Sequence, residues 1–198
     1  MSRDLQSVRE TLLAIALRLF TYEGYDAVGI QRIVDEAHVT KPTLYHYFGN
    51  KEGLMRSILS GYMGPFFDRL EQLSQYEGDL IRTVEEVTIH YMSYGSKDPE
   101  TANLIHTLRS CPLHSEAYGL SQYYFEREEA LMVQMFEAIA NHHTNLKGKE
   151  GHLARSFIGL VDCQLAYELK QLDRGIALPD NDERFRRLAK QFMYGIFA

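Results

Sequence analysis

Apolar residues recur along this chain at three- and four-residue intervals, and they nowhere alternate convincingly with polar ones. Leu12, Ile15, Ala16, Leu19 and Phe20 follow the i, i+3, i+4, i+7, i+8 rule, which predicts a helix from about Ser7 to Tyr22 with one buried face. Gly24 stands where a helix-ending glycine belongs. Ile30, Ile33, Val34 and Ala37 give the next segment an apolar face, and Leu44 and Phe48 lie four apart in the one after. Asn50 is an N-cap for a fourth helix carrying Leu54, Ile58, Leu59 and Tyr62. Gly61-Tyr62-Met63-Gly64-Pro65 then predicts a kink or break, because a helical proline clashes with the carbonyl four residues back. Further helices are predicted near 79–95, 99–110, 115–143, 151–173 and 181–197, punctuated by Pro99, Pro112 and Pro179. The expected fold class is all-α.

The stretch from Gly29 to Lys51 reads as two short helices joined by a tight turn at Ala37-His38-Val39, with Val39 plugging the corner. Thr40 is a suitable N-cap, and Pro42 sits in the first turn, where its missing N–H costs nothing. With Leu44 and Phe48 inward, Thr40, Lys41, Thr43, Tyr45 and His46 point outward. An exposed helix start bearing hydroxyls, a cation and an aromatic suits the DNA major groove.

Leu12 to Lys51 resembles the N-terminal domain of the tetracycline-repressor (TetR) family of bacterial transcriptional regulators. The likeness rests on LLAIALRLFTYEGYDAVGI and VTKPTLYHYFGNKEGL, and on their order: first helix, Gly24-Tyr25, two-helix motif, Leu44 to Phe48, then Asn50-Lys51-Glu52. It implies a three-helix DNA-binding domain over 6–66, with the helix-turn-helix at 29–48, and a helical effector-binding and dimerisation domain over 67–198. It places Thr40, Lys41, Pro42, Thr43, Tyr45 and His46 on the recognition helix. Thr43 and Lys41 are the candidates for base edges, and Tyr45 and Lys51 for phosphates, which position without reading sequence. Gln31, outward on the first motif helix, is a candidate for backbone or base contact. Two departures stand out: His38 occupies the turn where the family usually has glycine, and Gly29 stands where Ser or Thr usually caps.

Composition changes this picture little. A hydrophobic content of 45% is enough for a proper core. No apolar run is long enough to span a membrane, and the polar MSRDLQSVRE start lacks an apolar signal core; the expected location is the cytoplasm. Cys111 and Cys163 make no metal or redox spacing. Charge matters more. The net charge is −6, yet up to residue 51 Arg3, Arg9, Arg18, Arg32, Lys41 and Lys51 are cancelled by Asp4, Glu10, Glu23, Asp26, Asp35 and Glu36. The deficit lies in the remainder, so DNA affinity must rest on few phosphate contacts and on a dimer.

Phe185, Leu188, Ala189, Phe192, Met193 and Ile196 make an apolar stripe with Arg184, Arg186, Arg187 and Lys190 opposite. Residues 151–173 are apolar over much of a helix circumference through Leu153, Phe157, Leu160, Val161, Leu165 and Leu169, with small Ala154, Ser156 and Gly159. The family resemblance implies a homodimer in which these two helices from each chain form a four-helix bundle through Phe157, Leu160, Val161, Leu165, Phe185, Leu188, Phe192, Met193 and Ile196; the alternative is intrachain core. In the middle of the chain Tyr91, Tyr94, His106, Arg109, Tyr123, Tyr124 and Tyr167 combine aromatic bodies with polar tips and are candidates to line an effector pocket. His142, His143 and His152 lack paired Cys or carboxylates, so a solvated loop is expected and no metal or cofactor. No nucleophile elbow, P-loop, zincin or dinucleotide motif is present, so no catalytic residue is assigned. The reading is a repressor released from a palindromic double-stranded DNA operator by a small-molecule effector. The alternative is a helical interaction module or enzyme without DNA binding, which leaves the exposed Thr40–His46 face unexplained.

Overall fold

The computed structural model describes residues 2–179 and 182–195. Among them the chain forms nine α-helices and no strand: α1 Ser2–Glu23, α2 Ile30–Glu36, α3 Lys41–Phe48, α4 Lys51–Leu73, α5 Leu80–Lys97, α6 Pro99–Arg109, α7 Glu116–His142, α8 Glu150–Asp173 and α9 Asp182–Tyr194. The all-α expectation holds. Helix ends follow local chemistry. Asn50 Oδ1 accepts the Gly53 N–H at 2.7 Å before α4, and Asp79 Oδ1 accepts the Arg82 N–H at 3.0 Å before α5. Gly24 and Gly49, with φ of 84° and 76°, end α1 and α3 in a conformation that side-chain-bearing residues avoid.

Of the kink or break predicted at Pro65, the break does not occur, since α4 runs through it from Lys51 to Leu73. Proline removes one backbone bond, at a cost of about 3 kcal/mol. On either side of it Leu59, Met63, Phe66, Phe67 and Leu70 are buried, each worth roughly 1.5–3 kcal/mol, so packing outweighs the lost bond.

The chain divides into two compact units. The first takes residues up to Gly64 together with Glu100–Tyr123; the second takes Pro65–Pro99 and the residues from Tyr124 onward. Leu12, Ala16, Leu19, Phe20, Ile33, Leu44, Leu54 and Leu59 are buried in the first. In the second, α9 packs along α5, and α5 packs on α8. A side chain at Gly95 would overlap the Leu165 methyl carbons, so this glycine sets how closely α5 and α8 approach.

This packing corrects the expected dimer interface at four positions. Phe157, Val161, Phe185 and Leu188 are buried within one chain. Phe157 lies edge-on to Phe192 with ring centres 5.3 Å apart, and Phe136 meets both. On α9, Phe185, Leu188 and Ala189 are buried within the chain, where α9 packs along α5. Leu160, Leu165, Phe192 and Met193 are half-buried. Ile196 lies outside the described residues.

Candidate nucleic-acid interface

The recognition helix is built from three local decisions. Leu44 and Phe48 are buried and anchor α3, which leaves Lys41, Pro42, Tyr45 and His46 exposed and Thr43 half-buried. The turn before it requires a left-handed residue, and His38 supplies it with φ 53°; among the described residues it is the one non-glycine with positive φ. The Val39 N–H bonds the Val34 carbonyl at 3.0 Å and closes the corner. Gly29 opens α2 without a side-chain cap bond. Thr40 does not cap α3 through its side chain either. Its hydroxyl pairs instead with that of Thr43, at 2.9 Å, so the two threonines present their oxygens as one unit. Gln31 is exposed on α2, and its Nε2 donates to Asp35 Oδ1 at 2.6 Å, which holds its side chain along the helix.

The cations are unequal. Arg18 bonds Glu36, and Arg32 reaches Glu36 and Glu23 at 3.5 Å each. Arg9 lies over the Phe48 ring, 5.5 Å from its centre. Lys41 is exposed beside the threonine pair. Lys51, the expected phosphate contact, is also engaged within the chain. Its ammonium donates to the carbonyls of Tyr25 at 3.0 Å and Val28 at 3.1 Å, and sits 4.1 Å from the centre of the Tyr25 ring. Two buried-side carbonyls and an aromatic face satisfy the charge from within, so Lys51 fixes the α1–α2 turn.

The candidate effector residues separate. Tyr91, Tyr94 and Tyr124 belong to the second unit with Phe66 and Phe67. Phe66 meets Tyr91 and Tyr94 at 5.0 and 5.3 Å, and Phe67 stacks with Tyr124 at 6.4 Å. His106, Arg109 and Tyr123 belong to the first unit. Tyr167 is 57% exposed, on the outer face of α8. Reasoning from sequence missed His90, whose Nε2–H donates to the Phe66 carbonyl at 2.9 Å while its ring stacks on Phe66. It also missed Gly53, Tyr25 and Glu116. A glycine inside the first turn of α4 was the readable signal for Gly53; no local signal pairs Tyr25 with Glu116.

Residues 12–58 match the family described as bacterial regulatory proteins, tetR family. That segment belongs to the TetR family. The chain is 40% identical over 58 residues to the HTH-type transcriptional repressor ComR of Escherichia coli, an alignment that spans 29% of the chain and only 28% of ComR. It is 21% identical to the HTH-type regulator YvkB of Bacillus subtilis, over 98% of the chain and all of that protein. Its fold is similar to that of the transcriptional regulator FadR from Bacillus subtilis, solved with stearoyl-CoA, with a TM-score of 0.74, 17% identity, and coverage of 94% of this chain and 98% of that one.

Proposed function

We propose that this protein is a sequence-specific transcriptional repressor of the TetR family. It acts as a homodimer on a palindromic operator and is released by a small apolar effector. The observation that carries this reading is α3. Two buried apolar residues hold it, and its start presents Lys41, Pro42, Tyr45 and His46 to solvent with Thr43 half-buried among them, the arrangement by which a recognition helix enters the major groove. The likeness in fold to FadR of Bacillus subtilis, solved with stearoyl-CoA, supports an apolar effector. An effector acts by binding one conformation better than another, and its differential affinity sets the shift.

Dimerisation falls to the outer face of α8. Ser156, Gly159, Cys163 and Tyr167 are exposed at helical spacing, and a side chain at Gly159 would meet no described atom within 4 Å. Half-buried Leu160 and Met193 border the same two helices. Small residues there permit the close approach of a partner helix.

Selection of duplexes from a random pool tests the reading. The selected sites should be palindromic, with affinity falling as salt rises. Lys41→Ala should flatten the plot of log affinity against log salt by about 0.9 per subunit. Thr43→Ala should relax preference at one or two base positions, costing about 1–3 kcal/mol if it reads a base. Failure to enrich any palindrome would overturn the proposal. Stearoyl-CoA is the first effector probe, and retention of the operator at saturating stearoyl-CoA would exclude long-chain acyl thioesters.

A further inference from the structure

The entry of the chain into the helix-turn-helix is not held by α2 itself, since Gly29 offers no side-chain cap. It is held by the turn that precedes it. The Val28 N–H bonds the Tyr25 carbonyl at 3.2 Å, and Lys51, the first residue of α4, ties together the carbonyls of Tyr25 and Val28. The Tyr25 side chain is 3% exposed. Its ring lies edge-on against Phe20 at 5.0 Å and under the Lys51 ammonium. Its hydroxyl donates to Glu116 Oε1 at 2.9 Å, and Glu116 is the first residue of α7. The starts of α4 and α7 therefore meet at one buried ring, and both helices contribute residues to the second unit as well as the first. Burial first, and then the bond to Glu116, push the Tyr25 hydroxyl well above its ordinary range, so it stays a donor at any physiological pH.

We propose that Tyr25 is a positioning residue for DNA recognition, through which the start of α7 sets the orientation of α2 and α3. A displacement of the first turn of α7 pulls on the Tyr25 hydroxyl. The ring moves against Lys51, and the two carbonyls that Lys51 holds carry α2 with them. The functional meaning rests on the regulator reading above, but the dependence of α2 on Glu116 is measurable without DNA.

Tyr25→Phe keeps the ring and both of its packing contacts and removes only the hydroxyl. Glu116→Ala removes the acceptor, and Glu116→Gln retains one. Amide hydrogen exchange in the free full-length protein should accelerate over 28–36 by roughly three- to tenfold in Tyr25→Phe and in Glu116→Ala, the effect of losing one hydrogen bond. The double variant should be no faster than either, Glu116→Gln should stay near wild type, and α8 amides should not change. Affinity for a palindrome selected by the wild-type protein should fall by a similar factor in the same two variants. Unchanged exchange over 28–36, or equal acceleration in α8, would overturn the proposal and leave Tyr25 an ordinary core residue. A wild-type protein that selects no duplex would overturn the regulator reading, with the exchange result still deciding the role of Tyr25.

Discussion

At the residue scale, two side-chain environments make demands that single substitutions expose. Gly53 donates its N–H to Asn50 while the Phe48 carbonyl of α3 passes where a Cβ would stand. The obstacle is backbone, so the junction between α3 and α4 cannot yield by a rotamer change. Gly53→Ala should cost about 1–3 kcal/mol, read as a lower urea midpoint, and should weaken operator binding more than a distant substitution of equal cost. An unchanged midpoint would mean the junction is not tight. His90 is held the other way. Burial lowers its pKa below the ordinary histidine value, the bond to the Phe66 carbonyl opposes this, and the charges of Arg69 and Lys97 add to the lowering. Its ring faces Phe66 and Tyr94. The folded state thus prefers neutral His90. Stability from this group is whole above the ordinary value near 6.5 and falls as pH drops below it, because the unfolded chain takes up the proton first. Thermal midpoints from pH 7 to pH 5 should fall more steeply in the wild type than in His90→Gln; parallel curves would remove His90 from the account.

At the scale of elements, α9 is the instructive case. Its periodicity is legible in the sequence: Phe185, Leu188 and Ala189 make one face and the arginines another. The surface that face would meet is not legible. An apolar stripe is stabilised equally by a partner chain or by its own α5, and here α5 takes it. The arginines are not simply solvated either. Arg184 Nη2 lies 3.2 Å from Glu168, a buried carboxylate of α8, and Arg186 Nη1 lies 3.1 Å from Glu85 of α5. Removing one member of a buried pair leaves the other charge desolvated. Arg184→Ala should therefore cost about 3 kcal/mol, seen in urea unfolding, and Arg184→Leu with Glu168→Leu should recover much of it. No recovery in the double variant would show that the arginine contributes by packing alone. Pro65 teaches the converse lesson. A local rule predicted a kink or break, and buried side chains on both sides of it kept α4 unbroken.

At the scale of the whole molecule, assembly and charge decide what the fold can do. The residues buried inside one chain cannot also join two. Phe157→Glu should unfold the second unit, because it places a carboxylate in the core. Tyr167→Glu, on the exposed face of α8, should leave the monomer folded by circular dichroism and shift it from dimer to monomer in sedimentation. A Tyr167→Glu protein that remains fully dimeric would place the interface elsewhere. No helix among the described residues is long and apolar enough to cross a membrane. The acidic balance of the chain, with Arg18 and Arg32 already paired, leaves Lys41 prominent among the charges that DNA can meet.

By itself the sequence determined the helices, several of their ends and the helix-turn-helix, because those rest on residues a few positions apart: Asn50 at the start of α4, Leu44 with Phe48, Gly24 at the end of α1, His38 in the turn. Interactions of that range are set by spacing and residue type alone. Tertiary structure decided the rest. Tyr25 meets Glu116 across 91 residues, and Arg186 meets Glu85 across 101. Lys51 turns to the carbonyls of Tyr25 and Val28, and the faces of α8 and α9 are shared out between core and surface. In each of these, one polar or apolar group had several chemically equivalent partners to choose from, and only the packing of the folded chain brings one of them within reach.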